Sequence, residues 1–391
     1  MRHKSVLGVL FLTVALDLVG FGVIIPLMPL YAVRFGASGQ QIAVLFGAYS
    51  LMQLLFAPVW GRVSDKIGRR PVLLCSIVGN VAALVLFACA QSYGWLLAAR
   101  LVSGVCTANI AVAQAAVADL TSGEHRAKGM GIVGAAFGVG FVVGPFMGGE
   151  LSRWGYAAPG WFAAGLGVVN AVWAYKYLPE TLPPEKRGVH TSGVWSARLH
   201  AWRSNQGIQG LLLLVFMHVC AFSMQEMCFV LFAQKRLHFD TVSSGRVFAY
   251  IGIVLACVQG GLIGRLVARW GEKRLVLLGM LAVALGMVLL PLTPLDAVVF
   301  MLVCVTLTAV GQALLSPSLH GLLSRRSLAE QQGVVMGLAQ SASACARVVG
   351  PQMAGFLFDH GNENTPLWVG GVLMACVCAV AVWAFRARTL V

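Results

Sequence analysis

Charge is scarce in this chain: 11% of its 391 residues are Asp, Glu, Lys or Arg, against 59% that are hydrophobic. A soluble domain carries about a quarter of its residues charged, so this composition, with a mean hydropathy of +0.82, excludes one and points to an integral membrane protein. Acids are scarcer still, 14 against 28 bases, for a formal charge of +14. The chain also lacks His-Glu-x-x-His, Gly-x-Ser-x-Gly and a phosphate-binding glycine loop, so it carries no enzyme constellation of those classes. Its 10 cysteines all lie in apolar segments and none forms Cys-x-x-Cys. That pattern argues for small core residues rather than a disulfide framework or a zinc or redox centre, and no cofactor or metal is expected.

What is present is a series of apolar runs, each near the ~20 residues that cross a bilayer as a helix. They recur near 6–31, 40–61, 71–90, 95–119, 129–150 and 160–178, then near 208–233, 242–264, 275–291, 296–320, 331–358 and 367–386. The first run follows Met1-Arg2-His3-Lys4 in the manner of a leader, but it is too long and shows no cleavage site, so it is expected to remain as span 1. Residues 179–207 hold Pro179, Pro183, Pro184, Lys186, Arg187, Arg198 and Arg203 and no spanning run. They are expected to link an N-terminal bundle (1–178) to a C-terminal one (208–391).

Twelve spans place both termini on one side. On that topology Arg34, Arg153, Lys235 and Arg236 fall outside, Arg100, Arg246 and Arg347 fall within spans, and every other base of the 28 falls with the termini. Such asymmetry marks the cytoplasmic side of a cell-membrane protein and not a nucleic-acid footprint. The lipid bilayer, a small molecule and protons are the expected partners, with the chain working as a monomer.

The halves repeat each other. Gly61-Arg62-Val63-Ser64-Asp65-Lys66-Ile67-Gly68-Arg69-Arg70 joins spans 2 and 3, and Gly264-Arg265-Leu266-Val267-Ala268-Arg269-Trp270-Gly271 echoes it between spans 8 and 9 with Ala268 in place of Asp65. In span 5, Gly131, Gly140, Gly144, Pro145, Gly148 and Gly149 are answered in span 11 by Gly337, Ala346, Gly350, Pro351, Ala354 and Gly355. Small residues at such spacing let helix backbones approach.

Embedded charges need a reason, because each costs on the order of 3 kcal/mol to insert. Of the acids only Asp17 and Glu226 lie well inside spans. Asp17, near the midplane, is either a proton site or the partner of a static ion pair with Arg100. Glu226 carries a proton, holds a cationic substrate or lines an outer vestibule. Arg347 in span 11 requires an acid, a carbonyl-lined cavity or an anionic substrate group. Phe21, Gln53, Asn109, Gln114, His218, Met224, Gln259, Gln312 and Gln340 stand at depths suited to a central cavity; His218 reads first as a hydrogen-bonded packing residue and Met224 as part of a lipid-facing or core-packing face. Asp65, Asp119 and Glu124 sit among Arg62, Arg69, Arg70 and Arg126, as a gate or as a solvated charge cluster.

The decapeptide 61–70, the glycine-proline pattern of span 5 and the stretch Asp17–Pro29 together resemble the major facilitator superfamily over nearly the whole chain. The resemblance implies an all-α membrane protein of twelve transmembrane helices in two pseudo-symmetric six-helix bundles, working by alternating access. Within the superfamily the chain resembles the drug:proton antiporter group with twelve spans, in its tetracycline-resistance-protein-like branch, also through Glu330-Gln331-Gln332-Gly333. It departs in lacking an acid in span 3. This likeness implies proton-coupled export of small amphipathic organic compounds; the alternative is a proton-coupled uptake symporter or a facilitator for a small metabolite. It assigns proton coupling to Asp17 and to Arg100, whose Arg100-Leu101-Val102-Ser103-Gly104 has Ser103 where the family has glutamine; Glu226 joins them as the other embedded acid. It makes Gly61, Asp65, Gly68, Arg69, Arg70 and Asp119 a cytoplasmic gate, in which Asp65 faces the start of span 11 and a loop arginine pairs with Asp119. It reads the span 5 glycines and Pro145 as an antiporter motif.

Overall fold

A computed structural model describes residues 3–107, 110–120, 126–188, 206–327 and 331–386. Every regular element among them is helical, as expected where no water is present to satisfy a strand edge. In chain order the helices are α1 (His3–Ile24), α2 (Leu27–Arg34), α3 (Gly39–Ile67), α4 (Arg69–Ala88), α5 (Tyr93–Cys106), α6 (Ile110–Leu120), α7 (Arg126–Leu151) and α8 (Ala157–Tyr177). They continue with α9 (Gln206–Leu237), α10 (Thr241–Cys257), α11 (Ile263–Leu289), α12 (Val298–Arg326), α13 (Gln332–His360) and α14 (Thr365–Arg386). A π-helical turn, Val258–Leu262, joins α10 to α11.

The protein is thus an all-α, multi-pass membrane protein. Among the described residues nine helical stretches are long and apolar enough to cross a bilayer, fewer than the twelve runs read from the sequence. The difference has physical sources. Thr241–Leu292 is one stretch of 52 residues, enough for two crossings of ~30 Å at 1.5 Å per residue. Apolar α5 spans only 14 residues, and α13 is diluted by Gln340, Ser341, Ser343, Arg347 and Gln352. Much of the linker, residues 189–205, lies outside the described residues.

Two compact units form. The first comprises residues 1–37, 44–190 and 240–252; the second 38–43, 191–239 and 253–391. Each half of the sequence therefore lends a segment to the other unit: the start of α3 belongs to the second and most of α10 to the first. In the first unit α1 packs on α7 and α8, and Leu10, Val14, Leu18, Leu73, Ile77, Val112 and Ala116 form its core. In the second, α9 packs on α13 and α11 on α12, around Leu211, Val215, Met280, Val283, Met287 and Leu319.

The sequence repeat reappears in the backbone. Gly68 has φ +110° and Gly271, its counterpart, φ +75°, a region that glycine enters at little cost. It reappears in packing too. A Cβ on Gly144 would lie 2.7 Å from Gly22 Cα, and one on Gly350 2.5 Å from the Cys220 carbonyl oxygen. A Cβ on Gly149 would meet the Thr241 carbonyl at 3.0 Å, and one on Gly355 the Gly39 carbonyl at 2.7 Å. The Gly144 and Gly149 contacts lie within the first unit, and the Gly350 and Gly355 contacts within the second.

Candidate functional site

In the first unit the embedded charges sit in a connected polar cluster. Apolar α4 carries one amide in its middle, Asn80, which is 4% exposed. Its Nδ2 donates to Asp17 Oδ1 at 3.0 Å, and the Ser103 hydroxyl donates to its Oδ1 at 3.0 Å. Three helices thereby fix the orientation of one half-buried carboxylate.

Arg100, one turn before Ser103 on α5, is 7% exposed. Its Nε donates to the Leu45 carbonyl at 3.3 Å, and its guanidinium carbon lies 4.3 Å from the Tyr49 ring centre and 5.8 Å from that of Phe21. Phe21 and Tyr49 stack at 5.1 Å. Cation–π contacts of this kind are worth about 0.5–2 kcal/mol each and offset part of the cost of embedding the charge. The Thr107 hydroxyl lies 2.9 Å from the Tyr49 hydroxyl, holding that ring in place. The cluster therefore presents a carboxylate able to hold a proton and a permanent, planar cation.

Below it lies the loop that opens α4. Arg69, 8% exposed, bridges Asp65 at 2.6 Å and Asp119 at 3.2 Å and donates to the Ser64 hydroxyl at 2.6 Å. Glu180 accepts from the backbone N–H of Arg69 at 2.9 Å and of Arg70 at 3.3 Å, capping α4 with a negative charge at its positive end. Arg70 donates to the Tyr175 carbonyl at 2.7 Å, and a Cβ on Gly61 would meet open space.

The span 5 glycines do a definite job. On α7, Cβ atoms on Gly140, Gly144 and Gly148 would collide with the backbone of Leu18, Gly22 and Val23 on α1, while Pro145 and Gly149 face the Thr241–Gly245 turn of α10. Gly131 lies in the first turns of α7.

In the second unit His218 on α9 is 3% exposed and its Nδ1 has no partner among the described residues. The same holds for Gln225 Oε1 and for Gln312 Oε1 on α12. Met224 is fully enclosed at 0% exposure, whereas Glu226 and Arg347 are half-buried. Gln259 is exposed on the π turn, Gln340 is exposed on α13, and Gln53 and Gln114 are half-buried in the first unit. Asn109, Glu124 and Glu330 lie outside the described residues.

Sequence reasoning missed Asn80, Tyr49 and Glu180. A lone amide in the apolar run 72–90 was the available signal for Asn80. Glu180 had none, since its partners lie 111 and 110 residues away.

Stacked apolar helices that embed paired polar groups, with a charged loop at one end, are the architecture of a membrane transport protein. The profile of the Major Facilitator Superfamily matches residues 10–351 and 258–390, and the chain belongs to that superfamily. It is 32% identical over 392 residues to the class C tetracycline resistance protein of Escherichia coli, covering 97% of each chain. Among solved structures it superposes on the human organic anion transporter MFSD10 (TETRAN) with a TM-score of 0.74 at 26% identity, covering 97% of this chain and 100% of that one. The nucleoside transporter NupG superposes with a TM-score of 0.81 at 13% identity over 98% and 99%, a likeness of fold alone. These proteins are transporters, and this chain is a transport protein rather than an enzyme.

Two expectations are corrected here. The full-length match to an organic anion transporter overturns placement in the tetracycline-resistance-like branch of drug:proton antiporters, and with it proton-coupled drug export. The physical reason is visible on α7: the glycine pattern that suggested an antiporter is a close helix contact, and such a contact says nothing about the direction of transport.

Proposed function

We propose that this protein takes up a small organic anion by alternating access, as a facilitator or as a proton-coupled symporter. The observation that carries the reading is Arg100, a permanent cation embedded at 7% exposure against two aromatic faces. A planar guanidinium in a low-dielectric site is the group that recognises a carboxylate or phosphate. Arg347, half-buried midway along α13, adds a second cation of the same kind. Support comes also from the organic anion transporter that this chain resembles at 26% identity.

In this proposal twelve helices form two six-helix bundles, residues 1–178 and 208–391, joined by a cytoplasmic linker at 179–207, with both termini cytoplasmic and the chain acting as a monomer. Phe21, Gln53, Gln114, His218, Gln312 and Arg347 contribute to the cavity. Arg69, Asp65, Gly68, Arg70 and Asp119 form the cytoplasmic gate. Asp17, held by Asn80, supplies the proton site if transport is coupled, and Glu226 is the second candidate.

The test is uptake of a panel of carboxylates and phosphate esters into proteoliposomes, at equal pH and under an imposed pH gradient. Saturable uptake that ignores the gradient identifies a facilitator. Uptake driven by an inward proton gradient and lost in Asp17→Asn identifies a symporter. Movement of no anion in either condition refutes the proposal.

A further inference from the structure

At the end of the first unit away from the basic loop lies a recess of about 640 Å³ that the transport cluster does not use. It is formed where α2 ends, where α4 passes into α5, and where α8 begins. Along α4 its lining residue Ala88 is eight residues from Asn80, about 12 Å at 1.5 Å per residue, so the two sites are separate.

Arg34 is the charged residue of its lining, and no carboxylate shares the recess. The guanidinium carbon stands 5.5 Å from the ring centre of Tyr156, which in turn stacks on Tyr31 at 5.2 Å with 16° between the planes. Tyr31 is itself fixed, 4% exposed and donating its hydroxyl to the Ala90 carbonyl at 2.9 Å. Among the described residues Arg34 enters no ion pair, so its charge is oriented by the ring but not neutralised. Ala157, the first residue of the 21-residue helix α8, also lines the recess, adding the positive end of a helix to the same space. The Gln91 and Trp161 side chains complete the wall, Trp161 being 51% exposed.

Positive potential without a compensating acid, beside an aromatic wall, selects an anion with an apolar body. The volume falls within the roughly 300–1,000 Å³ typical of small-molecule pockets. We propose that this recess is an anion-binding site separate from the Asp17–Arg100 cluster, taking a carboxylate or phosphate group on Arg34 and its apolar carrier against Tyr156 and Trp161.

Two sources supply that chemistry. One is a soluble organic anion; the other is an anionic lipid headgroup, since Trp95 and Trp154, 42% and 78% exposed, flank this end as interfacial tryptophans do. The inference does not depend on what the protein transports, because its readout is binding.

The full-length protein carrying Arg100→Gln, so that the transport cluster offers no cation, is titrated with 2-naphthoate by calorimetry, and in a second arm the protein is reconstituted with phosphatidylglycerol or phosphatidylcholine for native mass spectrometry of retained lipid. Arg34→Gln is expected to weaken 2-naphthoate binding about tenfold or more, or to abolish preferential retention of phosphatidylglycerol, as loss of a charge-assisted contact requires. The first result assigns the recess to soluble anions, the second to lipid. Tyr156→Leu, which removes the face beneath the guanidinium, is expected to weaken the same arm. Arg34 is exposed and among the described residues holds no ion pair, so its substitution should leave the melting temperature nearly unchanged. Wild-type behaviour of both variants in both arms overturns the proposal.

Discussion

Replacing Gly144 by alanine tests whether the span 5 pattern is a helix contact. The added Cβ would stand 2.7 Å from Gly22 Cα and 2.8 Å from the Val19 carbonyl oxygen, both backbone atoms that no rotamer change can move aside. Restoring an ordinary 3.4 Å contact requires α1 and α7 to part by about 0.7 Å locally. A gap of that size forfeits roughly a quarter to a half of the dispersion attraction across the seam, and overpacking of this kind costs about 1–3 kcal/mol. Gly138, six residues earlier on the same helix, supplies the control, because a Cβ there meets nothing within 4 Å. Its alanine variant gains helix propensity worth about 0.5–1 kcal/mol and loses no contact. Thermal unfolding of detergent-purified protein, followed by size-exclusion chromatography of heated samples, should rank Gly138→Ala at or above wild type and Gly144→Ala clearly below. Equal stability of the two variants would refute the packing account.

Further outcomes follow from other contacts. Glu180→Ala removes the carboxylate that caps α4 and should lower stability by about 1 kcal/mol, read from the same melts; an unchanged melt would show that the cap is idle. Asp240 precedes α10 and accepts from the Ser243 N–H at 2.8 Å. Burial pushes its pKa up, but the Ser243 hydrogen bonds and the Arg153 charge outweigh that and hold it below its ordinary 3.8. Its folded pKa being depressed, its contribution is present above pH 3.8 and is lost as pH falls through the lower folded value. Asp240→Asn should therefore be less stable than wild type at pH 6 and converge with it in strong acid; a gap that persists there would contradict the assignment. Asn80→Ala leaves Asp17 without its amide donor and should slow turnover about tenfold or more, the equivalent of one broken buried contact. Undiminished turnover would separate Asn80 from transport.

Composition alone made the membrane class legible, and twelve apolar runs made the helical fold legible, because hydropathy and bilayer thickness leave few alternatives. Asp17 and Arg100 stood out for the same reason: an embedded charge is too costly to be incidental. Their surroundings were not legible. Asn80 has no periodicity to announce it, and the Arg100–Tyr49 contact depends on how α3 and α5 cross. Resemblance implied that a loop arginine pairs with Asp119 but not that it is Arg69, and the Glu180 cap joins residues more than a hundred positions apart, which no local pattern encodes. The branch was misread because Gly140, Gly144 and Gly148 record how closely α1 and α7 approach, a need that carriers of either direction share.

The most direct test of the central claim compares two ligands of one shape and different charge. Proteoliposomes preloaded with unlabelled 2-naphthoate are presented with labelled 2-naphthoate or labelled 2-naphthamide, at equal pH on both sides. Selection of an anion at Arg100 predicts counterflow of the carboxylate and none of the amide, with carboxylate counterflow lost in Arg100→Gln. Equal counterflow of the two, or an Arg100→Gln variant that still exchanges the carboxylate at the wild-type rate, would contradict it.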